Sequence, residues 1–103
     1  MKHEKKYKSA KPFFEKVLKD KEIRIHYEEE KSKTEIAHAV KRLREAAKLT
    51  QLELAKLIGT SQSVVARLEG GSDKRIPSLP LLARIAAACG AHLEFGFSFA
   101  KAS

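Results

Sequence analysis

Between Leu49 and Gly71 the chain carries two full sets of helix start and stop signals separated by a single tight turn, and few folds accommodate two helices so short and so closely joined. Thr50 and Glu53 form a capping box: the hydroxyl accepts from an amide of the first turn, and the carboxylate reaches back to the threonine N–H. Leu54, Ala55 and Ile58 then share one helical face. Gly59 ends the run, as a residue tolerant of positive φ does. A further helix opens near Ser61 and turns Val65 and Leu68 inward, until Gly70-Gly71 stops it. That spacing leaves Gln62, Ser63, Val64, Ala66 and Arg67 facing outward.

The flanks read as helices too. Ser32 and Glu35 match a capping box, and Ile36, Val40, Leu43 and Ala47 follow at helical spacing, which predicts a helix from Ser32 to about Lys48. Ser78 is placed to cap another, with Pro80 in the permissive first turn, and Leu79, Leu82, Ile85, Ala86 and Cys89 on its inner face, closed by Gly90. After Gly90 the period changes: Leu93, Phe95, Phe97 and Phe99 alternate with His92, Glu94, Gly96 and Ser98, a strand pattern. Upstream, Phe13/Val17 and Phe14/Leu18 sit four apart and favour a short amphipathic helix, whereas Ile23 to Tyr27 alternate and suit a strand; helix is the preferred reading. Residues 1–10 are lysine-rich with almost nothing to bury, and fraying is expected. The expected fold is all-α, five short helices at most plus one C-terminal β-strand. It divides into a basic tail and amphipathic arm (1–31), a helical domain (32–91), and a strand and tail (92–103).

A net charge of +8 over 103 residues suits a polyanionic partner, although a merely solvated basic surface gives the same total. The excess fades after Ile76, where the chain turns apolar. No apolar run approaches the roughly 20 residues of a spanning helix, and the N-terminal stretch lacks the apolar segment of a secretory signal. One cysteine, Cys89, excludes an internal disulfide, which makes a reducing cytoplasm the simplest setting. His3, His26, His38 and His92 are scattered, no paired carboxylates or nucleophile–histidine set is evident, and one thiol gives no zinc spacing. An enzyme is therefore disfavoured, and no cofactor or metal is implied.

The segment from Leu49 to Gly71, extended over roughly residues 36–90, resembles the phage repressor/Cro family of helix-turn-helix proteins. The resemblance rests on Thr50-Gln51, Glu53-Leu54-Ala55, Gly59, Ser61, Val65, Glu69, Gly71 and Pro77-Ser78-Leu79. Ala55 is small where two helices would cross, and Gly59 makes the turn between them. The resemblance implies a major-groove reading helix from about Ser61 to Glu69. Within it Gln62 would pair with adenine and Arg67 with guanine, or with a phosphate if the helix tilts. Ser63 would join the base-reading set, and Val64 would meet a thymine methyl unless it is simple surface apolarity. Gln51, Ser61, Lys74 and Arg75 would hold phosphates and carry little sequence information. Arg44 and Glu69 match a structural arginine–glutamate pair that orients the reading helix.

The layout as a whole, with Val65-Ala-Arg-Leu-Glu-Gly, Pro77-Ser-Leu and Ala88-Cys-Gly-Ala-His-Leu-Glu-Phe, resembles HigA-type antitoxins. That implies a protein that binds operator DNA, represses its own operon and neutralises a HigB-type ribonuclease toxin. The natural toxin-binding residues are Phe13, Phe14, Val17, Leu18, Ile23 and Tyr27, unless the arm packs on its own domain. A stand-alone transcription regulator without a toxin is the alternative. A homodimer is expected through an antiparallel pairing of the C-terminal strand, with Leu93, Phe95, Phe97 and Phe99 at the interface; an internal hairpin with Ile23 to Tyr27 competes.

Overall fold

A computed structural model describes residues 2–71 and 76–100, with side chains described from Lys11 onward. Among the described residues four helices follow in order: α1 Lys2–Ala46, α2 Gln51–Ile58, α3 Gln62–Gly70 and α4 Leu79–Ala88. The chain divides into two compact units, Met1–Thr34 and Glu35–Ser103.

In the first unit the backbone is helical throughout its described residues, so the strand pattern of Ile23 to Tyr27 is overridden. A strand needs a neighbour for its amides and carbonyls, whereas a helix satisfies them internally. The charged residues are also spaced for a helix. Lys11 and Glu15 approach to 3.9 Å and Arg24 and Glu28 to 3.3 Å, each four residues apart. The expected helix start at Ser32 is absent, because α1 runs through it without a break. The Thr34 hydroxyl donates to the Glu30 carbonyl at 3.2 Å, a bond to the preceding turn that belongs to helix interior. One 45-residue helix thus replaces the two predicted for residues 11–48.

The second unit is built from the end of α1 and from α2, α3 and α4. Its core is Val40, Leu54, Ala55, Ile58, Val65, Leu68 and Ile85, with Ile36, Leu43, Leu49, Leu81, Leu82, Ala88 and Cys89 packed around it. Leu54 and Ala55 are wholly buried. Lys48, with φ of 60°, breaks the path between α1 and α2. The Thr50 capping box is present: the Glu53 amide donates to Thr50 Oγ1 at 3.0 Å, and the Thr50 amide donates to Glu53 Oε1 at 2.8 Å. These bonds hold the exposed Glu53 carboxyl below the usual glutamate range, the backbone donor at Thr50 contributing most. Gly59, at φ 75°, closes α2, and the Thr60 amide folds back onto the Ala55 carbonyl at 2.9 Å. On α4 the Ser78 hydroxyl accepts from the Leu81 amide at 3.2 Å. Leu79, expected on the inner face of α4, is half exposed instead.

The expected C-terminal β-strand does not form. Residues 91–100 run without helix, turn or strand, and no strand is present among the described residues. A strand exists only by pairing, and the one internal candidate, Ile23 to Tyr27, is committed to α1. The dimer ladder through Leu93, Phe95, Phe97 and Phe99 falls with it. The fold is all-α, without the strand.

Candidate nucleic-acid interface

Helix α3 offers one face to the core and another to solvent. Val65, Leu68 and Glu69 are buried, whereas Gln62, Ser63, Ala66 and Arg67 are exposed. At about 100° per residue the four exposed positions fall within an arc of roughly 140°. Val64 lies about 60° beyond that arc and is half-buried, less open than its spacing suggested. Ser61, in extended conformation, precedes the helix; its hydroxyl caps no amide and instead meets the Ser63 hydroxyl at 3.0 Å. Lys74 and Arg75 lie outside the described residues.

Behind this face stands a buried ionic knot. Arg44, from the last turn of α1, directs Nε to Glu69 Oε2 at 2.6 Å and Nη2 to Glu69 Oε1 at 2.9 Å. Its Nη1 donates to the Leu49 carbonyl at 2.7 Å, just before α2 begins. Gln51, the first residue of α2, adds a bond from Nε2 to Glu69 Oε1 at 3.2 Å. The two charged side chains are 12% and 3% exposed. Burial by itself pushes the Glu69 carboxyl upward and is the largest single influence. The bonds from Arg44 and Gln51, with the charges of Arg44 and Lys41, outweigh it, so the group sits below the ordinary range and stays ionised. Glu69 in turn raises the Arg44 guanidinium. Three elements meet at one carboxylate, and the end of α3 is held against α1 and the start of α2.

Gln51 therefore has one amide hydrogen engaged inside the fold. An amide nitrogen carries two, so the second remains for an external acceptor. Cys89, a free and partly covered cysteine at the edge of the core, has its thiol raised above the usual range, burial being the chief cause.

A contact that sequence reasoning missed is made by Arg84 of α4, whose Nη2 donates to the carbonyl of Ile58 at the end of α2. That carbonyl belongs to the last turn, where no amide of the same helix is available. The guanidinium thus ties α4 to the turn between α2 and α3. An arginine on the solvent side of an apolar helix carries no local mark of this role, since it depends on a residue 26 positions away.

Of the remaining predicted residues, Phe13, Phe14, Val17, Leu18, Ile23 and Tyr27 are all exposed on α1 within the first unit. Leu93, Phe95, Phe97 and Phe99 are exposed in the second unit.

Two short helices across a glycine turn, the second presenting a polar face and braced from behind, define a helix-turn-helix protein. A family model for the helix-turn-helix matches residues 40–95, and the chain belongs to that Xre-type family. Members are DNA-binding transcription regulators, and the matched span contains α2, α3 and α4 entire. No curated protein matches the chain. No helix among the described residues is long and apolar enough to cross a membrane.

Proposed function

We propose that this protein is an antitoxin of the HigA type, which reads an operator through α3 and engages a ribonuclease toxin through its arm. The outward face of α3 carries the DNA half of that reading. Gln62 and Arg67 have the bidentate groups that adenine and guanine accept in the major groove, with Ser63 beside them and the half-buried Val64 assigned to a thymine methyl. Gln51, Ser61, Lys74 and Arg75 are assigned to phosphates. A helix of this length reads only a few base pairs, so a homodimer reading two half-sites about one helical turn apart belongs to the same proposal.

The observation that carries the antitoxin half is the arm itself. Phe13 is 73% exposed and Phe14 58%, with Val17, Leu18, Ile23 and Tyr27 also open, and such a display of large apolar side chains on one helix marks an interaction site. An amphipathic helix laid in a partner's groove is a recurring mode of recognition.

The test is co-purification with the product of the adjoining gene, followed by deletion of residues 1–31. The truncated protein should keep operator binding and lose inhibition of a ribonuclease partner. Undiminished inhibition would move the toxin site off the arm, and an adjoining gene without a toxin would leave a stand-alone regulator.

A further inference from the structure

Within the second unit, a groove of about 180 Å³ opens between the last turns of α1 and helix α4. Its walls are apolar, formed by Ile36, Ala39, Val40, Leu43, Leu82 and Leu93, and His92 and Glu94 stand at its rim. An apolar cavity of roughly 150 Å³ takes up benzene, so this groove has room for one phenyl ring. A few residues on, the chain holds Phe95 at 74% exposure, Phe97 at 101% and Phe99 at 102%. Three phenylalanines open to water within five residues, beside an unfilled apolar groove, form two halves of a contact that a single chain does not close.

We propose that the groove is filled by Phe97 from a second copy of this chain, the two copies exchanging their C-terminal segments about a two-fold axis. The inference rests on the homodimer reading above and specifies its contact. The chain's own Phe97 is badly placed for the task. Leu93 already lines the groove, Phe97 follows up to about 14 Å further along, and residues 91–100 contain no turn to bring it back. A two-fold exchange supplies each groove with its partner's ring, as a self-complementary interface requires. The area is sufficient. Each buried phenylalanine contributes about 150–250 Å², so Phe97 in the groove with Phe95 and Phe99 covered on either side of it bury, over both copies, on the order of 1,000 Å². That reaches the size of a specific interface, about 1,000 Å², before the groove walls are counted. The contact is a ring in a pocket and needs no backbone ladder. It also leaves Gln62, Ser63 and Arg67 outside the interface.

Sedimentation of the full chain across a concentration series tests the assignment, with Phe97→Asp and Ala39→Glu as separate variants. Both positions are exposed, so circular dichroism of the variants should match the parent. The parent should dimerise, and each variant should weaken self-association at least about 30-fold, the loss typical of a central anchor residue. In a Cys89→Ser background, cysteines placed at Ala39 and Phe97 should join across copies under mild oxidation. A parent that dimerises while both variants dimerise equally well overturns the seating of Phe97 and leaves the homodimer standing. A parent that stays monomeric at all concentrations overturns both.

Discussion

Glu69 is almost wholly buried yet ionised, because Arg44 meets both of its carboxylate oxygens with parallel N–H donors at 2.6 and 2.9 Å. Truncating one partner leaves the other charge in a poorly solvated place. Glu69→Ala should therefore cost about 3–5 kcal/mol in chemical denaturation. Arg44→Lys should lose only part of the same stability, since an ammonium keeps the charge but cannot make the fork. A loss below about 1 kcal/mol for Glu69→Ala would mean the pair is solvated in solution.

The same pair sets a pH limit. The folded pKa of Glu69 lies below its unfolded value, so the stability it contributes is fully present above the unfolded value, about 4.3, and is lost as pH falls through the folded one. Glu53, also lowered, acts in the same direction. Melting temperatures should hold from neutral pH to about 5 and drop at lower pH. Glu69→Gln should flatten that acid limb. An unchanged slope in the variant would assign acid sensitivity to other groups.

For DNA reading, Gln62→Ala and Arg67→Ala should each cost about 1–3 kcal/mol and relax preference at one base position. Lys74→Ala and Arg75→Ala should weaken all sequences alike and reduce the salt dependence. Anisotropy titrations against cognate and scrambled duplexes separate the two kinds of loss. A footprint that ignores Gln62→Ala and Arg67→Ala would reassign the reading face.

The turn between α2 and α3 is open to substitution tests from both sides. Gly59 has φ of 75°, and a Cβ there would stand 3.2 Å from Arg84 Nη2. Gly59→Ala should destabilise by about 1–2 kcal/mol from the backbone alone. Arg84→Met removes the guanidinium from the Ile58 carbonyl and should cost about 1.5–3 kcal/mol. If Arg84→Met melts with the parent, water serves that carbonyl equally well.

The central helices were legible because their boundaries are written in local chemistry. Thr50, Glu53, Gly59 and Ser78 each act within a few residues of themselves. The start at Ser32 misled for the opposite reason. Ser32 and Glu35 have the spacing of a capping box, but a box forms only where the preceding backbone leaves the helix, and charged neighbours carry α1 straight through. Leu93 to Phe99 alternate as a strand does, yet alternation reports only which side chains could share a face. Pairing requires a partner, and Ile23 to Tyr27 had gone to helix. The outward positions of α3 followed from period alone, except at Val64, where the neighbouring core covers part of the side chain. The anchoring of Ile58 by Arg84 was invisible, as any contact between distant residues without a shared motif is.

The core around Leu54 has a consequence for the order of events during synthesis. Leu54 and Ala55 are covered only when Val65, Leu68 and Ile85 are all in place, so the DNA-reading unit waits for α4. The last residue of the first unit, Thr34, which follows the whole arm, leaves the ribosome 51 residues earlier than Ile85. At roughly 5–20 residues per second that is a lead of about 3–10 seconds. A nascent chain thus displays Phe13, Phe14 and their neighbours while the reader of DNA is still an open hydrophobic fragment, and a partner waiting nearby can meet the arm first.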